Sequence, residues 1–76
     1  MGSKYPILPP SEIIKAFTKL GFYKVSQKGS HVKYRKDGDP VRTFIIPMHK
    51  EIAKGTLQGI LEQADVTLAE FKGFLK

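Results

Sequence analysis

Two tight-turn signals, Lys28-Gly29-Ser30 and Asp37-Gly38-Asp39-Pro40, separate three short runs of strand-forming residues, and they constrain this chain more than any other feature. The runs are Phe22 to Gln27, His31 to Lys36 and Val41 to Ile46, rich in aromatic and β-branched side chains. Glycine and Asp-Gly signals between such runs read as hairpins. Connections this short cannot carry the chain across to a parallel neighbour, so the three strands form an antiparallel meander. Pro47 closes the third strand.

Side chains alternate between the faces of a strand. On the middle strand, Val32 and Tyr34 share one face, and His31, Lys33 and Arg35 share the other. The apolar face needs cover, and helices on both sides of the meander supply it. Tyr5 to Pro10 holds three prolines and reads as an extended lead-in. Ser11 stands where an N-cap belongs, with Glu12 in the first turn. Ile13, Ile14, Phe17 and Leu20 follow at helical spacing, and Gly21 provides a stop, which predicts a helix over 12–20. Met48 to Gly55 reads as a loop. Thr56 is placed to cap a helix carrying Leu57, Ile60, Leu61 and Ala64. Thr67-Leu68-Ala69-Glu70 fits the capping box of a short last helix with Leu68, Phe71 and Leu75. The fold class is α+β, in the order α-β-β-β-α with a short extra helix. The expected organisation is a lead-in over 1–10 and one domain over 11–76.

Composition narrows the function classes. With 76 residues, 41% of them hydrophobic, the chain supports one modest core and not two. It has no cysteine, which removes disulfides and thiolate metal sites and fits a reducing compartment. No apolar run approaches the roughly 20 residues that cross a bilayer, so the expectation is a cytoplasmic protein with no membrane partner. The net charge of +6 favours a polyanionic partner, nucleic acid before an acidic protein surface.

The only histidines are His31 and His49. A structural metal site takes three or four ligands, and no cluster here reaches that number, so no metal and no cofactor are expected. Neither a nucleophile elbow nor a glycine-rich nucleotide loop is present. RNA, however, carries its own nucleophile in the 2′-hydroxyl. A protein cleaves it by moving that proton and stabilising charge on the phosphate. His31 is the candidate acid or base. Lys28, Lys33 and Arg35 are candidate phosphate contacts, and Gly29 and Ser30 form a turn whose backbone can approach a phosphate closely. The plainer alternative is a surface histidine beside a hairpin turn, with Lys33 and Arg35 as a solvated strand face. Phe22, Tyr23, Tyr34 and Phe44 fit either a core or base stacking.

Several fragments occur together in a telling order: Gly21-Phe22, Lys28-Gly29-Ser30-His31, Ile46-Pro47-Met48-His49, Lys54-Gly55-Thr56-Leu57, Ile60-Leu61 and Leu68-Ala69-Glu70-Phe71. Over about residues 11–75 the chain resembles the HicA (YcfA-like) family of small mRNA interferase toxins. That resemblance implies a fold like the double-stranded RNA-binding domain, with a three-stranded antiparallel sheet and helices on one face. It implies endoribonuclease activity on mRNA and a HicB-type antitoxin that covers the active site. The family's catalytic histidine lies in the Gly-Ser-His turn, which corresponds to His31, presented by Gly29 and Ser30. His49 matches the histidine of the Pro-x-His segment, where a supporting role is expected. The chain departs from the family where Gly-Thr-Leu continues as Gln58-Gly59 rather than with a basic residue, which weakens anion binding at that helix start.

Three functions fit these residues. The first is a metal-independent RNase toxin using His31. The second is a non-catalytic RNA-binding module that reads shape and phosphates. The third is a protein-interaction domain whose basic face meets an acidic partner.

Overall fold

The computed structural model describes residues 5–75. Met1-Gly2-Ser3 and the first part of the expected 1–10 lead-in lie outside the described residues. The elements run α1 (Pro10–Lys19), β1 (Tyr23–Lys28), β2 (His31–Lys36), β3 (Arg42–Pro47), α2 (Lys54–Ala64) and α3 (Leu68–Gly73). The three strands form one antiparallel sheet in the order β1-β2-β3. The expected α+β architecture, with a dsRBD-like α-β-β-β-α order and one additional helix, is the architecture observed.

Helix α1 starts earlier than the capping signal predicts. Its N-cap is Pro9, its first residue is Pro10, and no side chain caps it, so Ser11 is a helical residue rather than the N-cap. Proline fits there because its fixed φ suits the first turn and its missing N–H has no partner to lose. The helix ends at Lys19, and Gly21 follows at φ +106, a conformation that favours glycine. Thr56 likewise does not cap α2. Ala53 is the N-cap and the helix begins at Lys54, which leaves Thr56 inside the first turn. Here a tertiary contact sets the start: Ile52, buried, pairs with Leu8 of the lead-in and donates its N–H to the Leu8 carbonyl at 2.8 Å. The capping box of α3 is present in full. Thr67 accepts from the Glu70 N–H, and the Glu70 carboxylate accepts from the Thr67 N–H.

The core lies between one sheet face and the helices. Val32, Tyr34, Phe44 and Ile46 bury from the sheet, and Ile13, Phe17, Leu57, Ile60, Leu61 and Phe71 meet them. Phe22 falls just ahead of β1 instead of opening it, and its ring packs edge-on against Phe17 with centroids 5.2 Å apart. Strand β3 runs one residue past the predicted stop, because Pro47 pairs opposite His31. Beyond that pair the Met48 N–H donates to the Ser30 carbonyl, at 2.6 Å. The Ile45 N–H therefore points away from β2, as does the nitrogen of Pro47, which carries no hydrogen. At Ile45 the N–H donates to Gln63 Oε1 of α2, at 3.1 Å.

Candidate nucleic-acid interface

The second face of the sheet lies opposite the core, and its residues follow from strand register. Residues directly opposite across an antiparallel pair share a face. Lys28, His31 and Pro47 form one row, Ser26, Lys33 and Ile45 the next, and Tyr23, Arg35 and Thr43 the third. Alternation on β2 comes out as expected: His31, Lys33 and Arg35 are exposed, and Val32 and Tyr34 are buried. All six residues of β1 are exposed.

Gly29 and Ser30 connect β1 to β2 as a two-residue turn between the paired Lys28 and His31. Only the first of the two has positive φ, Gly29 at +61, which is the sign pattern of a type II′ hairpin turn. The turn is held from two sides. Gln27 accepts from Lys24 Nζ at 2.9 Å and donates from Nε2 to the Gly29 carbonyl at 3.0 Å. On the other flank the Met48 N–H takes the Ser30 carbonyl. His31 therefore leaves a turn tied to β1 and to the end of β3. The second tie also brings the Met48-His49 segment alongside the turn, with His49 exposed.

Among the described residues, neither Lys28 nor Lys33 pairs with a carboxylate; the ion pairs there are Arg35–Asp37 and Arg42–Asp65. Lys28 and Lys33 thus form an uncompensated cationic end around His31. Arg35 differs. It stands in the far row and donates from Nε to Asp37 Oδ1 at 2.9 Å, which offsets part of its charge. The Tyr23 hydroxyl donates to the same oxygen at 2.8 Å. That hydrogen bond, with a smaller contribution from burial, holds the Tyr23 hydroxyl above the ordinary tyrosine range. Turn chemistry accounts for Asp37 in the sequence, and the fold gives it this second role. Gln27 is a further addition to the site, since a glutamine at a strand end carries no distinctive sequence signal. Of the four aromatic residues around the strands, Phe22, Tyr34 and Phe44 are core, and Tyr23 is exposed.

Lys54, Gly55 and Thr56 stand in the first turn of α2, with no acidic residue among them. Gln58 is engaged with Glu62 one turn on. Among the described residues, no group of three or more His, Cys, Asp or Glu side chains is placed to hold a metal ion. No helix among them is long and apolar enough to cross a membrane.

No curated protein matches the chain. A family model described as the HicA toxin of bacterial toxin-antitoxin systems matches residues 10–66 of the 76. The match runs from the first residue of α1 past the end of α2, and it spans the His31 turn and the whole sheet. On the strength of that match, over most of its length, the chain belongs to the HicA family of RNase-type toxins from toxin–antitoxin pairs.

Proposed function

We propose that this toxin is an endoribonuclease that cleaves mRNA without a metal ion, with His31 as its proton-transfer group. The observation that carries the reading is the placement of His31: exposed, at the start of β2, between a clamped turn and unpaired lysines on one face. RNA lies across the open face, and its phosphodiester sits at the Lys28, His31 and Lys33 end. Lys28 and Lys33 neutralise the phosphate, and the backbone of Gly29 and Ser30 approaches it closely. His31 takes the proton of the 2′-hydroxyl. The 2′-oxygen attacks phosphorus, the bond to the 5′-oxygen breaks, and that oxygen leaves with a proton from imidazolium or water. The products are a cyclic phosphate and a 5′-hydroxyl end. Arg35 contacts a phosphate further along the strand. Residues 11–76 act as one unit in this reading. A HicB-type antitoxin restrains the toxin by covering the same face.

The test is cleavage of a long single-stranded RNA in EDTA by the parent and by His31→Ala at equal folded concentration. The variant should be slower by about a hundredfold or more, in line with loss of a general acid–base group. Equal rates would sink the assignment of His31. Binding without cleavage by the parent would favour a non-catalytic RNA-binding module.

A further inference from the structure

The far end of the open face has no role in the chemistry of His31, and hydrogen bonds hold its side chains to one another. Tyr23 is 44% exposed, while the core rings of Phe17 and Phe44 are fully buried. It opens β1 directly opposite Arg35, so its side chain shares a face with Arg35 and, further along β2, with Lys33 and His31. Its hydroxyl and the Arg35 Nε both donate to Asp37 Oδ1. The phenol is therefore pinned at its tip, with a guanidinium beside it. A ring fixed in this way loses little further freedom when something lies against it.

We propose that Tyr23, held by Asp37 and flanked by Arg35, is a stacking subsite for an unpaired base of a single-stranded RNA. This rests on the RNA-cleaving reading and adds a substrate class to it. Three physical points support it. An exposed aromatic ring beside a cation is the pairing that single-strand binders use, because every base has a π-face. A duplex keeps its bases stacked inside, so such a ring serves unpaired nucleotides. The Asp37 carboxylate repels a phosphate from the hydroxyl end of the ring, so the ring suits a base, with the sugar–phosphate strand displaced toward Lys33 and the outer guanidinium nitrogens of Arg35. Arg35 lies four steps along β2 from His31, about 13 Å at the strand rise. A few nucleotides of extended strand cover that distance, so the subsite fixes which nucleotide lies at His31.

Binding is read in a His31→Ala background, which removes the proposed proton carrier, with a fluorescein-labelled single-stranded oligonucleotide and a duplex of the same sequence. Adding Tyr23→Ala should raise the dissociation constant for the single strand by about 5- to 150-fold, the range found for one base–aromatic stack, and leave the duplex unchanged. Tyr23→Phe keeps the ring and should lose only a small part of that affinity. Tyr23→Trp should bind at least as well as the parent. Since the chain has no other tryptophan, its emission should be quenched by the single strand and not by the duplex. Circular dichroism confirms that each variant is folded. Unchanged single-strand affinity in Tyr23→Ala, an equal loss for both RNAs, or no RNA binding by the folded His31→Ala protein would each overturn the subsite. Cleavage of the same oligonucleotide by the parent is scored separately. Cleavage with unaltered Tyr23→Ala binding removes the subsite alone. A stacking loss without any cleavage by the parent removes the nuclease reading alone.

Discussion

Gly29 shows how one residue sets the site. Its φ of +61 is a conformation that costs an L-residue about 1–2 kcal/mol, yet a Cβ added there meets nothing within 4 Å. Gly29→Ala should therefore fold with its core intact and melt roughly 5–10 °C lower, measured by circular dichroism. An unchanged midpoint would mean that the turn is not held in this conformation. The open-face residues on β2 are legible in the sequence, because a period of two assigns His31, Lys33 and Arg35 without knowledge of their neighbours. Tyr23 is not legible in the same way. It lies on a strand whose pairing slips between Lys24 and Ser26, so alternation read along β1 does not give its face. Nor does a sequence say that Asp37, fourteen residues away, holds it.

At the scale of elements, legibility depends on where the signal sits. The strands follow from turn chemistry, which is local, and their observed bounds differ by about one residue from those the turns predict. The starts of α1 and α2 differ more because no side chain caps either of them. Their positions come from prolines and from the pairing of Ile52 with Leu8, a long-range contact that short-range signals do not carry. The end of α2 has no glycine to mark it; Asp65 adopts the left-handed conformation there at φ 56. Helix α3 is legible because Thr67 and Glu70 hold each other across its first turn. It has only six residues, and Phe71 is its one fully buried anchor, so the cap is a large part of what holds it. Thr67→Ala should cost about 1 kcal/mol. Amides of α3 should then exchange about fivefold faster, with those of β2 and β3 unaltered, as read by hydrogen exchange. Unaltered exchange in α3 would mean that its packing alone secures it.

Across the whole molecule, Phe17 joins the layers. Its ring packs against Phe44 of β3, Phe71 of α3 and Phe22, with centroids 4.3, 5.5 and 5.2 Å away. Tyr34 stacks nearly parallel on Phe44 at 5.3 Å. Burial raises the Tyr34 phenol above its ordinary value of 10.0. The folded state thus holds this proton more tightly than the unfolded chain. The linked stability is intact below pH 10 and is lost as pH rises through the folded value. Urea unfolding should show stability falling above about pH 10, and Tyr34→Phe should flatten part of that fall. Identical alkaline profiles would remove Tyr34 as a cause. The two edges of the sheet carry a different consequence. A bare strand edge is a template for another chain. On β3 that template is interrupted at consecutive outward positions: Gln63 occupies the Ile45 N–H, and Pro47 has none to offer. On β1 the edge is bent by its irregularity, and among the described residues no comparable bond covers it. A sheet with one obstructed border accepts a new strand on one side only. Two copies meeting edge to edge would use up the receptive side of each, and growth into a fibre would stop at the pair.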